Sequence, residues 1–280
     1  MIDFFQALGE APFLRYALVV SLLASVSFGV VGSYVVTRRI SYIAAAISHC
    51  VLGGIGAALY LDRVVGWHWC DPMLGAVVAA LLSAILIGLV SLYARQRDDT
   101  VISAVWVIGM ALGVIFLIKT PNVDPMSYLF GDILFVSLSD VWLVAVMDLV
   151  VVAFGVGFYP KLLAICFDSE FAELRGVKVK LYYLLLLCLT ALTVVLLVRV
   201  VGIVLVIALL TLPAAVAGHF ARRLWQMMLV AIGCSMLFVT TGLCLSFPYN
   251  LPSGPVIILI AGATYLGVAL LTRLRKRHGA

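Results

Sequence analysis

The sequence predicts an all-α integral membrane protein: a polytopic bundle of about nine transmembrane helices, N-terminus outside and C-terminus cytoplasmic. Composition is the first reason. The 280 residues are 65% hydrophobic and 11% charged, whereas a soluble domain carries roughly a quarter charged residues. The second is run length. Several apolar runs approach or exceed the roughly 20 residues that span a bilayer. They are continuous rather than alternating, so helices and not a barrel satisfy the backbone in lipid. The third is charge. With the N-terminus outside, 14 of the 18 Lys and Arg fall on segments facing the cytoplasm, as the positive-inside rule requires. The whole chain, 1–280, reads as one transmembrane domain.

The nine runs lie near 14–36, 43–61, 73–94, 101–118, 137–158, 180–198, 202–218, 225–246 and 255–272. Arg38 and Arg39 end the first and orient it. The second is built of small residues: Ala44, Ala45, Ala46, Ser48, Gly53, Gly54, Gly56, Ala57 and Ala58 let backbones approach closely. Such a helix is expected to be buried among others, lining a central pathway or next to a second copy. The sixth and seventh runs are interrupted by little more than Arg199 and Gly202. Together they are about twice one bilayer crossing, so they divide in two. Eight spans would break the charge alternation. Pro213 interrupts the seventh run, where a proline frees a carbonyl and permits a kink; a moving gate and a static kink both fit.

The links differ in kind. Trp67, His68 and Trp69 are interfacial aromatics outside. The outside segment 119–132 contains Pro121 and Pro125 and ends Leu129-Phe130-Gly131-Asp132. The longest cytoplasmic link, 168–180, reads as a short helix over about 168–177. Asp168 or Ser169 caps it, Glu170 and Glu173 sit near its positive end, and Gly176 takes the left-handed position that stops it. Phe171, Ala172 and Leu174 give it apolar side chains. It either docks to a soluble partner or lies on the membrane surface.

Several function classes drop out. The net charge of +5 sits at the ends of apolar runs and is not a nucleic-acid signal. No Walker glycine loop precedes a GK[ST] lysine, so any ATP-driven transport needs a nucleotide-binding partner chain. The six cysteines are scattered without a CxxC pair, which points to core packing rather than a disulfide framework or zinc knuckle. Asp3 and Glu10 precede the first run without a basic stretch, so no cleavable signal peptide is expected.

Five motifs together resemble the permeases of bacterial ABC importers for zinc, manganese, iron and related divalent cations. They are Arg38-Arg39-Ile40-Ser41-Tyr42 followed by His49; Asp124 to Asp132 ending in Leu-Phe-Gly-Asp; Ala172-Glu173-Leu174-Arg175-Gly176-Val177; Leu212-Pro213-Ala214-Ala215-Val216-Ala217 with Phe220-Ala221-Arg222; and Ser253-Gly254-Pro255. The similarity runs from about residue 20 to 272. It implies a multi-pass protein of the bacterial cytoplasmic (inner) membrane that pairs with a second permease subunit, usually an identical copy. A cytoplasmic ATP-binding subunit would dock on Glu170, Phe171, Ala172, Glu173, Leu174, Arg175 and Gly176 as a coupling helix. An extracytoplasmic metal-binding protein would deliver the cargo. The chain would not itself be an enzyme and would hold no permanent cofactor; its cargo would be a divalent transition metal. The family commonly has an aspartate four residues before the histidine of the second span. Here that position is Ala45, which leaves the imidazole without the usual carboxylate.

His49 is the histidine in the middle of a span. An ionisable side chain there is a functional candidate by default, and neutral imidazole suits transition cations. On residues alone a packing histidine is an equal reading; the resemblance favours a place in the cation pathway. Cys50 points about 100° away and cannot easily share an ion with it. Asp124 and Asp132 at the outer mouth could attract cations, or serve as cap and turn residues. Asp148 in the fifth span is either bonded to a neighbouring helix or faces a pore. Gly53, Gly54 and Pro213 are the candidate gate or kink positions. His219 reads as a helix-end residue near the negative dipole end. The competing reading is an ion-coupled secondary carrier working without an ATPase, which predicts paired intramembrane charges and often an internal repeat.

Overall fold

A computed structural model describes residues 12–93, 98–121, 123, 129, 138–249 and 251–278, and the regular elements among the described residues are all helices, without strands. The candidate acids Asp124 and Asp132 lie outside the described residues, as do Arg95 and Arg97. In chain order the helices are α1 (Pro12–Arg38), α2 (Ser41–Tyr60), α3 (Pro72–Tyr93), α4 (Asp98–Lys119), α5 (Leu138–Gly157), α6 (Tyr159–Phe167), α7 (Ser169–Leu174), α8 (Val179–Val201), α9 (Ile203–Ala217), α10 (Leu224–Ser246) and α11 (Ser253–His278). Seven of them are long and apolar enough to cross a membrane, and the apolar stretches Val179–Val195 and Ile203–Ala217 are shorter.

The helix boundaries follow local chemistry. The α1–α2 turn is a Schellman motif: Ile40 N–H bonds the Val35 carbonyl at 3.0 Å and Arg39 N–H the Val36 carbonyl at 3.1 Å. Arg39 occupies its left-handed position at φ 62°, where glycine is usual. After α2 a five-residue π-turn, Leu61–Val65, ends at Gly66 with φ 84°. Gly202, at φ 81°, divides α8 from α9, so the expected division of the long apolar run stands. Pro213 sits inside α9 without ending it.

One element was not foreseen. The fifth run was expected to end near 158 and the cytoplasmic link to begin at 168, with no element between them. Instead α6 fills 159–167, with Pro160 in its first turn and Leu162, Ile165 and Cys166 buried. Proline is tolerated there because the first-turn N–H groups have no intrahelical partner. The next helix, α7, matches its sequence reading closely. Asp168 accepts the Phe171 N–H at 2.9 Å. Gly176, at φ 79°, closes a second Schellman motif through Val177 N–H to the Ala172 carbonyl at 3.0 Å.

Helix ends converge in two layers. A cavity of about 490 Å³ collects Arg38 and Arg39 from the end of α1, Tyr42 from the start of α2, Ser91 from α3, Asp99 from α4, Ser169 from α7 and Tyr183 from α8. A second cavity, about 340 Å³, collects the opposite ends: Leu59 of α2, Met73 of α3 and Val198 of α8. Thr37 reaches Met227 near the start of α10, and Gly242 of α10 packs on Ile257 of α11. Helices consecutive along the chain from α1 to α4 therefore alternate in direction, as do α10 and α11. The lysines of the first layer lie over aromatic rings: Lys180 is 4.5 Å from the Tyr93 centroid and Lys161 5.0 Å from Tyr182.

The helices α1 and α2 are the most buried spans, whereas α4, α5 and α11 expose most of their surface. Two polar contacts tie α1 to α5. Asp148 accepts the Ser27 hydroxyl and, at 3.2 Å, the Ser27 N–H. The Tyr34 hydroxyl donates to the Gly155 carbonyl at 2.8 Å. Of the two readings of Asp148, the structure supports the aspartate bonded to a neighbouring helix.

Candidate cation site on the α2–α4 seam

The small residues of α2 place it between two helices at backbone contact. On one side, Gly54 packs on the Gly75 carbonyl and Ala79 of α3. On the other, α2 and α4 run in the same direction and meet through glycines. A Cβ on Gly53 would stand 2.8 Å from the Gly109 carbonyl, and one on Gly56 would stand 2.8 Å from the Gly113 carbonyl. This close approach is the kind small residues permit. Gly53 and Gly54, expected as gate or kink positions, are seen in packing roles facing opposite neighbours.

The two helices keep one register along the seam. Tyr42 hydrogen-bonds Ser103 at one end. Further along, His49 meets Trp106, Gly53 meets Gly109 and Gly113, and Tyr60 meets Phe116 at 5.5 Å between centroids. The glycines stop one turn short of His49, which leaves width for two stacked rings. The His49 imidazole lies on the Trp106 indole with centroids 4.8 Å apart and planes 14° from parallel. Tyr42 leans on the same indole, with centroids 5.5 Å apart.

His49 is half-buried, and its Nδ1 is sealed from solvent without a hydrogen-bond partner. Its sequence neighbours are occupied. Ser48 donates to the Ala44 carbonyl at 2.9 Å, and the Cys50 thiol to the Val105 carbonyl at 3.4 Å. Cys50 therefore does not join His49 as a ligand, as the helical spacing implied. Ala45, one turn away, is buried and offers no donor atom. Among the described residues no group of three or more His, Cys, Asp and Glu side chains comes together. The chemistry available at the seam is one imidazole held against an indole: a single borderline ligand, not a cage.

The remaining candidates are spread out. On α7, Ala172 is buried while Phe171 and Leu174 are 52% and 87% exposed, so two of its three apolar side chains face outward. The Arg175 guanidinium lies 5.0 Å over the Phe171 ring. Phe167, just before the cap, is also exposed. His219 bonds the Ala215 carbonyl at 2.9 Å, one turn back along α9, as its helix-end position implied. His68 pairs with Asp62 at 3.1 Å.

Trp106, Tyr42, Gly109 and Gly113 were missed as site residues. Part of the signal was present: Gly109 and Gly113 are four apart in a run that is otherwise apolar, the small-xxx-small spacing of a close helix contact.

Known proteins resemble this chain over nearly its full length. The model of the ABC 3 transport family matches residues 10–272. The manganese transport system membrane protein MntC of Listeria monocytogenes is 34% identical, over 92% of this chain and 90% of its own. The manganese import system permease protein ScaB of Streptococcus parasanguinis is 32% identical, over 94% and 92%. Among solved structures, a chain of PsaBC from Streptococcus pneumoniae in complex with Fab superposes with a TM-score of 0.84. Its sequence is 30% identical, and the match covers 96% of this chain and 95% of that one. The resemblance carried by the five motifs thus holds along the length of sequence that bears them, and the chain belongs to the ABC 3 transport family.

Proposed function

We propose that this chain is the permease subunit of an ATP-driven importer of divalent transition metals, with manganese the first candidate cargo. Family membership together with relatives named for manganese transport carries this reading. In it, nine helices cross the cytoplasmic membrane: α1 to α5 and α8 to α11. The N-terminus is outside and the C-terminus inside. The alternation of helix ends between two layers supports this count, and so does the basic character of the layer holding Arg38, Arg39, Lys161 and Lys180.

The short helix α7 is the coupling helix. It is capped at both ends, anchored by Ala172 and presents Phe171 and Leu174 outward beside Glu170, Glu173 and Arg175. A cytoplasmic ATP-binding subunit docks there, an extracytoplasmic protein delivers the cation, and two permease copies form the pathway. His49 is the cation ligand of α2, reached by way of Asp124 and Asp132 at the outer mouth. Pro213 supplies a bend in α9 for gating. ATP hydrolysis belongs to the partner.

The test is co-purification with uptake. Phe171→Ser with Leu174→Ser should abolish ATPase association and manganese uptake while the permease stays folded, because both side chains are largely exposed. Uptake that persists without a bound ATPase would refute the proposal in favour of a carrier working alone.

A further inference from the structure

We infer that Trp106 is a positioning residue for His49, setting the plane in which the imidazole meets a cation. The inference rests on the reading of His49 as a cation ligand. A ligating histidine is normally oriented by a hydrogen bond from its second ring nitrogen to a carboxylate, carbonyl or water. Among the described residues His49 has no such bond: Nδ1 is enclosed and unpartnered. Its ring must be oriented by something else, and the nearest flat surface is the Trp106 indole, 4.8 Å away and 14° from parallel.

The indole is itself held. Tyr42 leans on it at 5.5 Å and is tied to Ser103 one turn back along α4. One turn forward, Gly109 closes against Cys50, where an added Cβ would lie 2.9 Å from the Cys50 Cα. Trp106 thus carries Tyr42 against its ring and sits on a stretch of α4 held to α2 one turn on. A stacked indole covers a face of the imidazole but leaves its edge free. The lone pair that binds a metal lies in the ring plane, so stacking fixes the ligand's direction without blocking it. It also removes water from one face of the site. Trp106 touches the ligand rather than the cargo.

The experiment uses the permease with its ATPase in membrane vesicles and follows Mn²⁺ uptake against Mn²⁺ concentration. Trp106→Leu should raise the half-saturating concentration about 2- to 12-fold, the range expected for losing one aromatic pair. Trp106→Phe, which keeps a flat ring, should recover most of that. A purely space-filling role would lower the maximal rate through protein amount and would not separate Phe from Leu.

A second readout covers the case in which Trp106→Leu does not reach the membrane. With Trp67, Trp69, Trp142 and Trp225 changed to Phe, Co²⁺ should quench Trp106 emission, and His49→Ala should abolish the quenching. A Trp106→Leu protein with wild-type half-saturation while His49→Ala is impaired overturns the inference alone; absence of quenching overturns the His49 reading and the inference with it. Wild-type uptake by His49→Ala overturns the His49 reading and the inference with it.

Discussion

Replacing Gly113 by alanine adds one methyl where α4 touches α2. The new Cβ would stand 2.8 Å from the Gly53 nitrogen, 2.8 Å from the Leu52 carbonyl carbon and 2.9 Å from Leu52 Cγ. Two of those atoms are backbone, so relief requires the helices to move apart. Overpacking of this kind costs about 1–3 kcal/mol, while alanine's helix propensity returns about 1 kcal/mol. Gly233 in α10 is the matched control, because nothing lies within 4 Å of a Cβ built there. Gly233→Ala therefore keeps the propensity gain without the clash. The two variants should differ by about 1–3 kcal/mol, Gly113→Ala melting below wild type or near it and Gly233→Ala at or above it. Thermal unfolding of the detergent-solubilised protein, followed by the folded fraction on size exclusion, gives the comparison. Uptake should fall further for Gly113→Ala than stability alone accounts for, since His49 and Trp106 stack along the same seam. Equal melting temperatures for the two variants would refute the close-contact account of α2 and α4.

Three other perturbations have signs set by the same kind of geometry. Asp148→Ala removes the Asp148 acceptor of the buried Ser27 hydroxyl, which costs about 1–3 kcal/mol. Asp148→Asn keeps an acceptor and should cost less, and melting curves of the two will show the order. Gly176→Ala meets no atom within 4 Å, so its whole effect is the left-handed backbone, about 1–2 kcal/mol. It should loosen the α7 stop, reduce ATPase co-purification and leave the melting of the bundle unchanged. Arg39→Gly relieves a left-handed arginine and should gain about 1 kcal/mol in the turn. A topology reporter fused after α1 should still read the same side, because Arg38 remains.

Much of the architecture was legible because it depends on one-dimensional signals. Apolar run length located the long helices. Asp168 and Gly176 marked α7 because capping is a matter of a few adjacent residues. The limits came where the answer lies between helices. The small residues of α2 announced a close neighbour but not which one. Only the register of α2 against α4 brings Trp106 to His49, and nothing in the periodicity of either helix contains that register. The chain 159–167 was missed for a related reason. Its apolar residues are too few to span a membrane, so a span-length criterion passes over them, although Leu162, Ile165 and Cys166 are buried against the bundle.

The two Schellman turns show how far a local rule reaches. Both use the same pair of hydrogen bonds, and both need one residue with φ near 60–80°. At α7 that residue is Gly176, the one the rule names, and the stop was readable. At the end of α1 it is Arg39, which a rule based on glycine passes over. A left-handed arginine costs about 1–2 kcal/mol, and glycine there would remove the cost. The sequence accepts it where two adjacent charges end the first long helix and where α2 begins only two residues later. Arg38 and Arg39 both line the cavity between α1, α3, α4, α7 and α8. In the left-handed geometry the reversal is compact enough to keep both guanidinium groups at that one level of the bundle. Arg39 therefore serves two requirements, a backbone one and an electrostatic one. Glycine meets the first alone, so Arg39→Gly should separate the stability of the turn from the charge of the cavity.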